Sequence, residues 1–164
     1  MFRTPQEVAE ALYAAVPHAL SRAMLEDYGI EATIEQARQI TQELLSLNLF
    51  WIGCALEAVL PLKPRELVLS ELRERILSGW VSDLAWDGLE AGPYFQEAEE
   101  RRRIYAKAMQ EDASPMMIAT ETATILVADS AVQPEDRNKI LALVVDLVPV
   151  DELGQLAEQI ELVG

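Results

Sequence analysis

LLSLNLFWIGCALEAVL, residues 44–60, is the longest apolar run in the chain and admits two readings, a membrane span or a core helix. Asn48 and Glu57 interrupt it, and it falls short of the roughly 20 residues that a bilayer-spanning helix needs. It therefore reads as a helix buried in protein. On a helical projection Asn48 shares its face with Leu44, Leu45, Trp51, Ile52, Ala55 and Val59 and is internal. Glu57 shares a face with Gln39, Glu43, Ser46 and Gly53, which places it nearer solvent. The run also holds the only cysteine, Cys54, which excludes an intrachain disulfide and suggests a buried thiol in a reducing cytoplasm.

Working outward, start and stop signals divide the chain into helices. Thr33-Ile34-Glu35-Gln36 is a capping box that opens the central helix, and Thr4-Pro5-Gln6-Glu7 opens an earlier one with proline in the first turn. Pro64, Pro115 after Ser114, and Pro134 ahead of Glu135-Asp136 mark further starts, and Asp151 caps a last short helix. Gly29, Gly92 and Pro149 mark breaks. These signals predict helices over 5–28, 33–60, 64–90, 93–112, 115–131, 134–148 and 151–162, with Pro17 kinking or splitting the first. No stretch alternates as a strand would. The expected fold is all-α: one domain over 1–164, a bundle of about six to seven antiparallel helices, with a short helical-repeat solenoid as the alternative.

Charge narrows the function classes. With 13 Lys and Arg against 28 Asp and Glu, the 164-residue chain carries a formal net charge of −15, which repels nucleic acid and anionic membrane surfaces. The N-terminus places Glu7 and Glu10 inside its apolar part and lacks the basic-then-apolar layout of a secretory signal, so a cytoplasmic location is expected.

The bases concentrate in the middle of the chain, above all in FQEAEERRRIYAKAM, residues 95–109. With Ala98 at the centre of the apolar face, Tyr94, Phe95, Tyr105 and Met109 fall within about 60° of it, as do Arg101 and Arg102. Arg103 lies on the polar side with Glu99 one turn earlier. Arg101 has Glu97 four residues back and sits at the edge of the stripe. Arg102 has Ala98 and Ala106 at that spacing, so its partner is expected from another helix. The helix SPMMIATETATILVADSAV is apolar all round and belongs in the interior or at a subunit interface. Glu121, on a face with Met117, Ile118 and Ile125, is the acid most in need of a cation. These residues predict an internal polar network of Arg102, Glu121 and Asn48, either structural or a site for a small anionic ligand.

Other constellations are thinner. Asp83, Asp87 and Glu90 fall at i, i+4 and i+7 and could offer oxygen ligands to a divalent metal if that segment is helical. A two-helix carboxylate site starting from Glu97 and Glu100 continues to Glu121 but finds Thr124 where its last acid would stand. One histidine, His18, rules out di-iron bundles, and no phosphate-binding loop, nucleophile elbow or cofactor motif occurs. Trp80, Trp86, Tyr94 and Phe95 are large enough to anchor either a core or an interface. The resulting expectation is a non-enzymatic module that associates with itself or another protein. The alternative is a small-anion-binding protein or metal-dependent enzyme centred on Arg102 and Glu121.

Overall fold

The computed structural model describes residues 1–162. Thr4 caps α1 (Pro5–Ala15) by accepting the Glu7 amide, and Glu7 reaches back to the Arg3 amide. Pro17 lies just past its end, and the chain runs extended to Ser21, which caps the short α2 (Arg22–Asp27). The first predicted helix is thus split, because proline cannot donate to the ladder and disfavours helical backbone in the residue before it.

The capping box at Thr33 and Gln36 forms in full and opens α3 (Ile34–Val59), whose 26 residues make it the longest element. It touches α2, α4, α5, α6 and α8 and forms the axis of the bundle. Residues 44–60 therefore lie inside protein, and among the described residues no helix is long and apolar enough to cross a membrane. Cys54 is half-buried rather than buried, and burial raises its thiol above the ordinary value.

α4 (Leu62–Ser78) turns back along α1. It ends at Ser78, twelve residues short of the predicted boundary at 90, and residues 79–90 form turns instead. Two local facts account for this. The backbone at Gly79 runs directly against the Tyr13 hydroxyl and the Asp83 carboxylate. Beyond it, Trp80 and Trp86 curl together, with Trp80 Nε1 donating to the Leu89 carbonyl at 2.9 Å and the Trp86 amide donating to the Trp80 carbonyl at 3.0 Å. Ala85 at φ 56° and Gly88 at φ 80° take the left-handed conformations that this path requires.

α5 (Ala91–Glu111) then runs along α3, and α6 (Pro115–Ala128) follows with Ser114 as its cap. A 3-10 turn over Pro134–Asp136 leads into α7 (Arg137–Leu147), and α8 (Val150–Glu158) returns to α1 and α3. Phe2 lies opposite Ile160 in a parallel bridge, its amide donating to the Gln159 carbonyl and its carbonyl accepting from the Glu161 amide, which brings the two ends side by side. That closure selects the bundle over the solenoid, in which each unit would touch only its neighbours. No β-strand occurs among the described residues, and the buried side chains form one continuous core.

Candidate functional site

Because α3 is covered on nearly all sides, its polar stripe has to be matched by polar partners. Glu43 and Ser46, on the stripe that also carries the exposed Glu57, are buried beneath α5. Arg101 answers Glu43. Its Nε lies 2.9 Å and 3.0 Å from the two carboxylate oxygens, and Nη2 lies 2.8 Å from Oε1. The same guanidinium reaches Asp129 at the end of α6 at 3.2 Å and Glu97 at 3.6 Å. Further along the seam Ser46 and Tyr94 share a hydrogen bond, and the Thr122 hydroxyl donates to the Tyr105 hydroxyl at 2.9 Å.

Burial raises the Glu43 carboxyl from its ordinary value, against the pull of Arg101. For Arg101, burial acts to weaken its hold on the proton, but Glu43, Glu97 and Asp129 outweigh it and the guanidinium stays firmly cationic. Beside this cluster is a polar recess of about 320 Å³ lined by Gln39, Gln42, Glu43, Glu97 and Asp129. A largely buried cation already sits among its carboxylates, so the arrangement ties α3, α5 and the end of α6 together.

The predicted network of Arg102, Glu121 and Asn48 does not form. Arg102 lies on the outer surface and bonds Glu99 on its own helix, through Nε at 3.0 Å and through Nη2. Glu121 is half-buried and makes no ion pair among the described residues. Asn48 is fully buried, as expected, but its amide donates to the Leu44 carbonyl one turn back and its Oδ1 has no partner. One residue of rotation about α5 accounts for the difference: the inward direction passes through Arg101, whose long-range acid Glu43 lies on a different helix. Arg103 is exposed near Glu99, as its position on the polar face implies.

The proposed metal ligands Asp83, Asp87 and Glu90 are separated because their segment is not helical. Asp83 accepts the Tyr13 hydroxyl at 2.9 Å and lies 3.7 Å from Arg75, Asp87 lies 3.6 Å from Arg38, and Glu90 stands at the start of α5. Among the described residues no group of three or more His, Cys, Asp or Glu is placed to hold a metal ion.

Trp80, Trp86, Tyr94 and Phe95 do come together, with neighbouring ring centroids 4.7 to 6.1 Å apart. Trp86 and Tyr94 are buried and the other two half-buried, so the set serves chiefly as core.

Two further recesses are mainly apolar in their lining. One, of about 280 Å³, lies between α3, α6, α7 and α8, with Trp51 and Val144 in its wall and Met116 and Val145 at its rim. The other, of about 410 Å³, lies between α3, α4 and α5, with Leu49, Phe50, Leu69 and Leu72 inside and Arg73 and Arg102 at its edge. Neither Met116 nor Arg73 stands out in the sequence, since each acquires its surroundings only from helices far away along the chain. Comparison with protein-family models, curated proteins and solved structures produces no match.

Proposed function

We propose that this protein is a non-enzymatic helical module that self-associates through the face formed by α6 and α7. The supporting observation is the exposed apolar rim of the smaller recess. Met116 and Val145 are 53% and 47% exposed around a hollow walled by Trp51, Ala119 and Val148, and Met117, beside Met116 on α6, is 46% exposed. α6 buries Ile118, Ala119, Ala123 and Leu126 within the chain and turns its two methionines outward. Methionine is unbranched and polarisable, which suits it to packing against a second apolar surface. A stable interface covers on the order of 800 Å² per partner, about a tenth of the 8805 Å² surface of this chain. The half-buried free thiol of Cys54 fits a reducing, cytoplasmic setting.

Charge sets the conditions of assembly. Two copies at −15 each repel, so association should strengthen as salt is raised over the range that screens surface charge. Light scattering of the wild-type chain and of Met116→Asp and Val145→Asp, over a series of concentrations and salt, provides the test. A concentration-dependent oligomer lost in both variants supports the proposal. A monomer at every concentration and salt, or an oligomer indifferent to both substitutions, overturns it.

A further inference from the structure

The groove between α3, α4 and α5 combines an apolar interior with an edge that opposes the charge of the rest of the chain. In a protein of net charge −15, its ionic residues are Arg73, Arg102 and Glu99, a net positive set. Arg73 has no carboxylate partner among the described residues, and its guanidinium lies over the Phe95 ring, 4.2 Å from the centroid. The contact holds the guanidinium over the ring, and its N–H groups make no hydrogen bond among the described residues. Arg102 is held by Glu99 through Nε and Nη2, so Nη1 is left without a hydrogen bond among the described residues.

A second, independent feature lies inside the groove. Gly53 sits in the interior of α3, six residues before its last residue Val59, where glycine costs about 1 kcal/mol relative to alanine. Its backbone is helical, and a Cβ added there would meet nothing within 4 Å. Neither turn geometry nor a close neighbour requires glycine. The effect of the missing side chain is to keep the groove open beside Leu49 and Phe50. The volume, about 410 Å³, lies within the range of small-molecule sites.

We infer that this groove binds an amphipathic anion, an alkyl or acyl chain ending in a single anionic head. The chain lies over Leu49, Phe50 and Leu69 in the space beside Gly53. The head meets the Arg73 guanidinium, whose fork pairs two oxygens at once, and Arg102 Nη1 offers a further donor. This site is separate from the α6–α7 face and does not depend on self-association.

The test is calorimetric titration, below the concentrations at which the probes aggregate, with three ligands that share a chain and differ in the head: decanoate, decanol and decyltrimethylammonium. The expected result is one saturable decanoate site, with decanol weaker by about tenfold or more and the cation not bound. Arg73→Gln should bring decanoate down to the level of decanol. Gly53→Leu, which fills open space and adds a better helix former, should abolish binding of both while leaving the thermal unfolding transition intact. Met116→Asp should change none of these affinities, which separates this inference from the proposed assembly. Absence of saturable decanoate binding, equal binding of decanol and decanoate, or binding unaffected by Gly53→Leu overturns it.

Discussion

Arg101 and Glu43, 58 residues apart in sequence, meet across the α3–α5 contact with the Arg101 Nε within 3.0 Å of both carboxylate oxygens. Their side chains are 15% and 5% exposed, so both ions are largely withdrawn from water. Such a pair gains little net free energy over a well-packed apolar substitute, yet leaving one partner alone is costly. Its consequence is register: α3 and α5 can slide or rotate only by leaving Glu43 without its cation, and Asp129 extends the same constraint to the end of α6.

The two halves of the pair should respond unequally to mutation. Arg101→Met leaves Glu43, Glu97 and Asp129 facing one another without a cation and should cost about 3–5 kcal/mol. Glu43→Gln leaves Arg101 with two carboxylates and should cost about 1–3 kcal/mol. Combining Arg101→Met with Glu43→Leu should be less destabilising than Arg101→Met alone. Urea unfolding of these variants and of Glu43→Leu alone measures this, and a double-variant loss equal to the sum of the Arg101→Met and Glu43→Leu losses would show that the pair is not coupled.

Glu43 also predicts a pH dependence. Burial raises its carboxyl from the ordinary 4.5, outweighing the hydrogen bonds from Arg101. Between that ordinary value and the raised one, the folded chain keeps a proton that the unfolded chain has released. The contribution of Glu43 to stability is therefore full below the unfolded value and is lost as pH rises through the folded one. The stability advantage of the wild-type chain over Glu43→Gln should accordingly shrink from acid to neutral pH, as followed by paired urea melts. An advantage that grows with pH would mean that Arg101 dominates and holds the carboxyl down.

Local chemistry made most of the fold legible. The cap at Thr4, the capping box at Thr33, the cap at Ser114 and the break at Pro17 act within a few residues, and the helices begin or divide there. Residues 79–90 were not legible in the same way. Acids at i, i+4 and i+7 suit a helix, but the packing of Trp80 on Trp86 and the close approach of Tyr13 to Gly79 come from tertiary structure. The candidate sites were less legible still. Helical projection places Arg102 nearer the centre of the apolar stripe than Arg101, and only the position of Glu43 on a separate helix makes Arg101 the inward residue. Arg73 becomes noticeable once α4 has brought it over Phe95.

Gly53 separates the cost of a groove from its use. Since a Cβ at this position meets nothing within 4 Å, Gly53→Ala should stabilise the protein by about 1 kcal/mol through helix propensity. A single methyl group should leave decanoate affinity nearly unchanged, whereas the leucine variant blocks it. Thermal and urea unfolding measure the first effect. A destabilised Gly53→Ala would mean that the space beside Gly53 is occupied in solution.

Gly79 should behave in the opposite way. A Cβ there would run into the Tyr13 hydroxyl and the Asp83 carboxylate, two groups that hydrogen-bond each other at 2.9 Å at the junction of α1 with the aromatic turn. Neither group yields freely, because the Tyr13 ring is buried with the Arg75 guanidinium 4.2 Å from its centroid, and Arg75 also lies 3.7 Å from Asp83. Gly79→Ala should therefore cost about 1–3 kcal/mol by overpacking and by weakening that bond. In a Tyr13→Phe background, which removes the hydroxyl and its hydrogen bond together, the same substitution should cost measurably less. Equal losses in the two backgrounds would place the penalty in the backbone rather than in the clash with Tyr13.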